Sequence, residues 1–433
     1  MRIKTYYIFT IIFPVLFSFC QGQETSGDYN IRILNTVWNT MNEDYFDTTF
    51  NGLDWEKEYD YYKPLVESCK TKDSLFFYLN QLVFKLNVSH LGLVPAEEAN
   101  ESGDPQLYFD GMAGLQIRYI NDEAVIISVE KNSSAEKAGI RPGFIITKLN
   151  GRTIGSFVQE KRDNPTPPFN DRNFRSLIAQ NINRQFYGEP GDSISVAFKD
   201  GKELMHEANL LLEDRKSIKS EVIPGMPPMY ANVSHHLIND STAYIQFDAF
   251  LPQVLDSTLS AIRKYINCSC IILDLRGNPG GLFDVRKTLA EQFVTDSTLF
   301  WRYQSRGTVD DVFLLPSSNP YKGKLIILID ELSTSSSEEF AGGMKAIGRA
   351  TIVGEQTPGK VLTMEVVPLP EGAFFIYPNQ QTLTSKNEVL EAKGVVPDVI
   401  VELDKKSLLK GIDNQLMLAI ELSVLNDDEN NGH

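Results

Sequence analysis

The sequence predicts an α/β protein in which a helical segment and a small strand-rich module precede a larger α/β body. Three observations predict it. Apolar residues at spacings of three and four run through residues 25–105. Short strands with Gly-rich turns follow to residue 212, and apolar strands then alternate with amphipathic helices to residue 425. A chain of 433 residues has room for two or three domains. The expected divisions are an export signal at 1–22, the helical segment at 23–105, the inserted module at 106–212, the body at 213–425, and a disordered polar tail at 426–433.

The export signal rests on Arg2 and Lys4, the apolar run 8–19 and then CQGQ, with cleavage expected after Gly22. That run is short for a membrane span, which needs about 20 residues. Cys20 offers a lipoprotein alternative, with the bulky Phe19 before it. An exported protein, periplasmic or held at the cell envelope, is therefore expected, with no integral span in the mature chain. A net charge of −16 argues against nucleic acid or anionic lipid as a partner. Cys69, Cys268 and Cys270 then remain. An odd number with this spacing reads as core chemistry, not as a disulfide framework or zinc site, and neither metal nor cofactor is expected.

In the helical segment, Ile31, Leu34, Val37, Trp38 and Met41 share one face, and Leu75, Leu79, Leu82, Val83 and Leu86 repeat the pattern. NVSHLGLVP closes it, so Ser89 and His90 stand where helix gives way to extended chain. A histidine there suits a structural or a catalytic role. In the module, GMAGLQIRY, AVIISVE and SSAEKAGIRPGFIITKLNG read as strand, strand, short helix and strand. Residues 192–198 and 203–212 add two strands, and 163–173, rich in Pro, Asn and Asp, reads as a surface insertion. The body has strands at 242–247, 270–275 and 324–329, with helices at 253–265 and 282–293.

Two stretches carry chemistry. STSSSEEFAGGMKAIGRATIVGEQTPGK, residues 333–360, starts with hydroxyl residues at a helix N-terminus and ends in a Gly turn at Lys360. Unpaired amides of a first helical turn face anything bound there, so a serine at this point can combine a nucleophile with part of an oxyanion hole. DLRGNPGG places amides just beyond a strand end, where α/β folds put their sites. The chain lacks the Lys-Ser/Thr that closes a phosphate loop, which disfavours phosphate.

The module resembles a PDZ domain: AGLQI matches the carboxylate-binding loop and SSAEKAGIRPGFIITKLNG the helix–turn–strand signature. The resemblance implies strand addition of an extended peptide along Ile117, with the amides near Gly114 and Leu115 receiving a terminal carboxylate. DLRGNPGG, SSSE at 335–338, GEQTPGK at 354–360 and GVVPD at 394–398 together resemble the tail-specific (carboxy-terminal processing) serine peptidases, with tricorn-like features. The fold implied is a crotonase/ClpP-like ββα spiral with an inserted PDZ domain. Ser335 falls at the nucleophile position, Ser336 and either Gly280 or Gly281 at the oxyanion hole. In the tail-specific branch the base is a lysine, here Lys360, although Met364 replaces the glutamine that usually follows it. In the tricorn-like branch the base is a histidine preceded by serine, here Ser89-His90, assisted by a glutamate at Glu391. The spacing favours Lys360. The activity implied is a serine endopeptidase acting on proteins with accessible C-termini. The alternative is an inactive PDZ scaffold, or a binder of apolar ligands, with the same fold.

Overall fold

Cys270–Asp274 and Lys324–Ile329 are unbroken apolar runs because they become strands covered on both faces. The computed structural model describes residues 26–95, 108–220 and 228–425. The export signal, Cys20 and the tail lie outside them. The central sheet runs Val233–Leu237, Thr242–Phe247, Cys270–Asp274, Lys324–Ile329, Thr351–Gly354, Val399–Ile400. Its first pairing is antiparallel and the others are parallel. Alternate side chains serve opposite faces. Ile271, Ile327 and Ile352 pack with Val254, Val285 and Phe340 of the helices Pro252–Lys264, Phe283–Ala290 and Ser336–Ala346. Ile272, Ile326 and Val353 face Ala419 of the helix Asn414–Val424. The registers Asp274↔Leu328 and Ile329↔Gly354 bring three strand ends level. The loops that follow, 275–281, 330–335 and 355–360, therefore emerge side by side.

A second, antiparallel sheet runs Gly92–Val94, Phe374–Thr384, Thr298–Ser305, Thr308–Leu314, with Thr363–Pro368 also paired to Phe374–Thr384. The helices Ser26–Asp44 and Lys72–Phe84 pack on it, and Trp55–Glu67 packs against both. Leu34, Val37 and Leu79 share one apolar cluster with Leu362, Phe375 and Tyr377, so the helical segment and the body have a core in common. No described helix is long and apolar enough to cross a membrane.

The third sheet runs Leu115–Ile120, Glu123–Val129, Ile145–Leu149, Ser193–Lys199, Met205–Leu211, with Leu115–Ile120 at its edge. Ile117, Ile126 and Ile146 form its own core with Phe157, Ile178 and Ile182, from the helices Ile154–Asp163 and Asp171–Arg184. Residues 163–173 depart from the expected surface insertion. They join those helices, with Pro167 and Pro168 buried and Asn170 capping the second helix by accepting from the Asn173 amide. The Pro-rich approach conceals that cap in the sequence.

Arg118, on the edge strand, ties this sheet to the body. Its guanidinium is 1% exposed and pairs with Asp330 (2.8 Å), Glu331 and Glu355 (2.9 Å). Asp330 in turn accepts from the amides of Gly277 and Leu332. Removing one partner from a buried ion cluster leaves uncompensated charge. Arg118→Met keeps most of the volume and loses the charge, so it should lower unfolding free energy by about 3–5 kcal/mol in a urea titration. A loss below about 1 kcal/mol would mean that desolvation already cancels the attraction.

Candidate active site

Ser335 sits between the strand Lys324–Ile329 and the helix Ser336–Ala346, with φ 56° and ψ −121°. A non-glycine residue in this region costs roughly 1–3 kcal/mol and persists only where its surroundings enforce it. Here the enforcement is specific. The Ser335 amide is shared between Glu338 Oε2 and the Lys360 carbonyl, each at 3.1 Å. Its carbonyl accepts from the Glu339 amide at 3.0 Å.

The neighbouring hydroxyls are committed to structure. Ser333 donates to the Leu275 carbonyl, Thr334 to that of Pro279, Ser336 to that of Gly281, and Ser337 to Asn278. Ser335 Oγ donates to no described acceptor, and Ser335 is the one residue of 333–337 that is not buried. The run of hydroxyls thus contains one available nucleophile.

Asn278 builds the facing loop. Its Nδ2 donates to the Phe247 carbonyl, and its Oδ1 accepts from the Gly280 amide at 2.9 Å. Gly280 has φ 99°, and a Cβ there would lie 2.7 Å from the Ser335 Cβ, so only glycine lets the two loops meet. The structure separates the two glycines expected at the oxyanion hole. The Gly280 amide is taken, whereas those of Gly281 and Ser336 donate to no described acceptor.

Glu338 is fully buried. One carboxylate oxygen accepts from Thr357 Oγ1 (2.5 Å) and the Gly359 amide (2.7 Å), the other from the amides of Lys360 (2.8 Å) and Ser335. Burial pushes its carboxyl above the ordinary range, against the pull of these donors. Nothing in the sequence beyond SSSE and the threonine of the TPGK turn signals this pairing.

The structure brings Ser89, His90 and Glu391 together. Glu391 Oε1 accepts from the Ser89 amide at 2.7 Å, and Oε2 accepts from Ser89 Oγ at 3.0 Å and from the Val361 amide at 3.1 Å. Ser89 Oγ lies 2.9 Å from His90 Nδ1. Burial, with the nearby Lys360 charge, pushes the His90 imidazole down to about 4, while burial pushes Glu391 up to about 7. With Glu391 ionised, Ser89 Oγ–H donates a hydrogen bond to its carboxylate, and Ser89 Oγ can then accept from His90 Nδ1–H, which leaves a lone pair on Nε2. Lys360 is adjacent: its carbonyl meets Ser335 and its charge bears on His90. Met364 lies on the strand Thr363–Pro368, 46% exposed.

Gly114, Leu115 and Ile117 belong to a different place, the edge strand and the loop before it. A cavity of about 420 Å³ runs between Leu115 and Ile117 of the edge strand, the helix Asp171–Arg184 and the body. Gly114 is left-handed (φ 77°) and its carbonyl accepts from Glu130. The strand edge is occupied. Ile117 donates to Asn183 Oδ1 at 2.8 Å, and Asn183 Nδ2 donates back to the Ile117 carbonyl at 3.0 Å.

Comparison with known proteins agrees with this architecture. Residues 241–401 match the profile of peptidase family S41, and residues 32–84 that of the tricorn protease C1 domain. A probable CtpA-like serine protease of Staphylococcus aureus (strain N315) is 25% identical over 305 residues, 70% of this chain and 54% of that protein, so the chain spans about half the length of such relatives. Carboxyl-terminal-processing peptidase 3, chloroplastic, of Arabidopsis thaliana is 24% identical over 377 residues, 85% of this chain and 68% of that one. Among solved structures, a photosystem II D1 C-terminal processing protease superposes with a TM-score of 0.56 at 17% identity, over 88% of this chain and 96% of that one, which shows a shared fold. Residues 241–401 are thus a peptidase family S41 domain, in a chain related to the C-terminal processing serine peptidases.

Proposed function

We propose that the chain is an exported serine endopeptidase that cleaves peptide bonds through an acyl-enzyme on Ser335 and captures protein C-termini in a PDZ-type groove. One observation carries the reading. Main-chain and side-chain hydrogen bonds run without a break from Ser335 through Lys360 and Val361 to Glu391, Ser89 and His90. The base in this reading is His90, in place of the Lys360 that the spacing favours. A neutral imidazole held in one tautomer supports it, and the Lys360 charge helps keep that ring neutral.

The chemistry follows from the roles. His90 Nε2 takes the Ser335 proton as Oγ attacks the substrate carbonyl carbon. Negative charge then develops on the carbonyl oxygen, facing the amides of Gly281 and Ser336 at a helix N-terminus. Collapse breaks the C–N bond, and His90 returns the proton to the departing amine. Water, deprotonated by the same nitrogen, hydrolyses the ester.

Ser335→Ala should abolish turnover of a denatured protein substrate. His90→Ala and Glu391→Ala should each lose about 10²–10⁴ in kcat, the usual range for a general base, while Lys360→Ala stays within about tenfold. Glu391 is charged above about pH 7 and neutral below it. The acid limb of kcat should therefore fall near pH 7 and vanish from the residual activity of Glu391→Gln. Near-normal kcat in His90→Ala with collapse in Lys360→Ala would move the base to the lysine.

The groove reading rests on Gly114, Leu115 and the edge at Ile117. A peptide strand must displace Asn183, whose carboxamide already satisfies both polar groups of Ile117. In the Ser335→Ala background, Asn183→Ala should strengthen binding of a peptide with a free apolar C-terminus by about tenfold, about 1.4 kcal/mol. Amidating that peptide should weaken binding similarly. Unchanged affinity in the Asn183 variant would mean that peptides do not add at this edge.

A further inference from the structure

The stretch 165–172, which joins the two helices of the strand-rich module, touches three of the turns that carry the site. The Phe169 amide donates to Asn87 Oδ1 at 2.6 Å, just before Ser89 and His90. Asn170 Nδ2 donates to the carbonyls of Pro358 (3.2 Å) and Ala392 (3.3 Å). Arg172 donates through Nε to the Thr357 carbonyl at 3.1 Å and through Nη2 to that of Lys393 at 3.0 Å. Two of these turns hold Lys360 and Glu391, and they lie backbone against backbone. The Ala392 amide donates to the Gly359 carbonyl, and a Cβ on Gly394 would stand 2.0 Å from the Thr357 oxygen. The Gln356 side chain crosses from one turn to the Lys393 carbonyl at 2.7 Å, and the carbonyls of Thr357, Pro358 and Ala392 that face outward need partners from elsewhere. Asn170 and Arg172 supply them.

We propose that Asn170 and Arg172, with the Phe169 amide, are positioning residues that hold the Ser89–His90, Lys360 and Glu391 turns in register, so that the module completes the active site as well as offering a groove. The inference rests on the peptidase reading above. The module acts here through its junction and not through its groove. A displacement of one turn by a fraction of an ångström would move Glu391 against Ser89, or Lys360 against Ser335.

Asn170 allows a sharp test because it has two jobs on different atoms. Its Oδ1 caps the helix Asp171–Arg184, and its Nδ2 serves the turns. Asp caps a helix as well as Asn does. Asn170→Asp therefore keeps the cap while aiming an oxygen at two carbonyls, whereas Asn170→Ala loses both functions. Full-length Asn170→Asp should keep the wild-type Tm within about two degrees and lose at least tenfold in kcat, with KM within about twofold, the scale that small misplacements cost. Asn170→Ala should lose less in kcat, although it melts earlier. Arg172→Lys, which cannot reach both carbonyls in one plane, should follow Asn170→Asp. Wild-type kcat in Asn170→Asp, or a kcat that follows Tm across the three variants, would overturn the inference. Neither result touches the peptidase reading, which stands or falls on turnover by the wild type and its loss in Ser335→Ala.

Discussion

The buried carboxylate of Glu338 is the constraint on which the site depends. A charge this far from water needs hydrogen bonds on both oxygens, and each bond to a charged group contributes roughly 1.5–3 kcal/mol. The four donors are the Ser335 amide, the Thr357 hydroxyl and the amides of Gly359 and Lys360. The strained backbone of Ser335 follows from this, because its amide must point at Glu338 while the helix begins one residue later. The next amide after Lys360, that of Val361, reaches Glu391, and through it Ser89 and His90.

The sheet supplies what local hydrogen bonds cannot. Parallel strands with level ends deliver the loops 275–281, 330–335 and 355–360 to one side, the usual place for chemistry in such folds. The antiparallel sheet contributes the rest. Phe374–Thr384 returns the chain towards Glu391, and Thr382 Oγ1, fully buried, donates towards both Glu339 and the Val361 carbonyl. The helix Ser336–Ala346 is thereby tied a second time to the segment that holds Glu391. A buried Arg286–Glu339 pair, with Tyr303 at 2.5 Å from the guanidinium, lies beneath the same helix.

What was legible in the sequence was contiguous or strongly patterned. Strands at 242–247 and 324–329 match their apolar runs, and Ser335 announces itself through the motifs around it. Thr298–Ser305 and Thr308–Leu314 escaped because one face is solvated and the second strand is largely exposed, so neither gives a clean apolar run. The helix Asp171–Arg184 hid behind a Pro-rich approach. That the Gly280 amide is taken and the Gly281 amide is not depends on where the Asn278 side chain points, and the proposed preference for His90 over Lys360 rests on the contact of Ser89 with Glu391, 302 residues away. No spacing rule reaches that far.

The most direct measurement is of where, and at what pH, a fluorophosphonate probe attaches to the intact chain. Peptide mapping by mass spectrometry should find the adduct on Ser335 and not on Ser333, Ser336 or Ser337, whose hydroxyls are engaged elsewhere. The rate of labelling should rise through an ionisation near pH 7, set by Glu391, since His90 is already neutral well below that. An adduct on another serine, or a rate that keeps climbing towards the ordinary lysine range at ~10.4, would contradict the account.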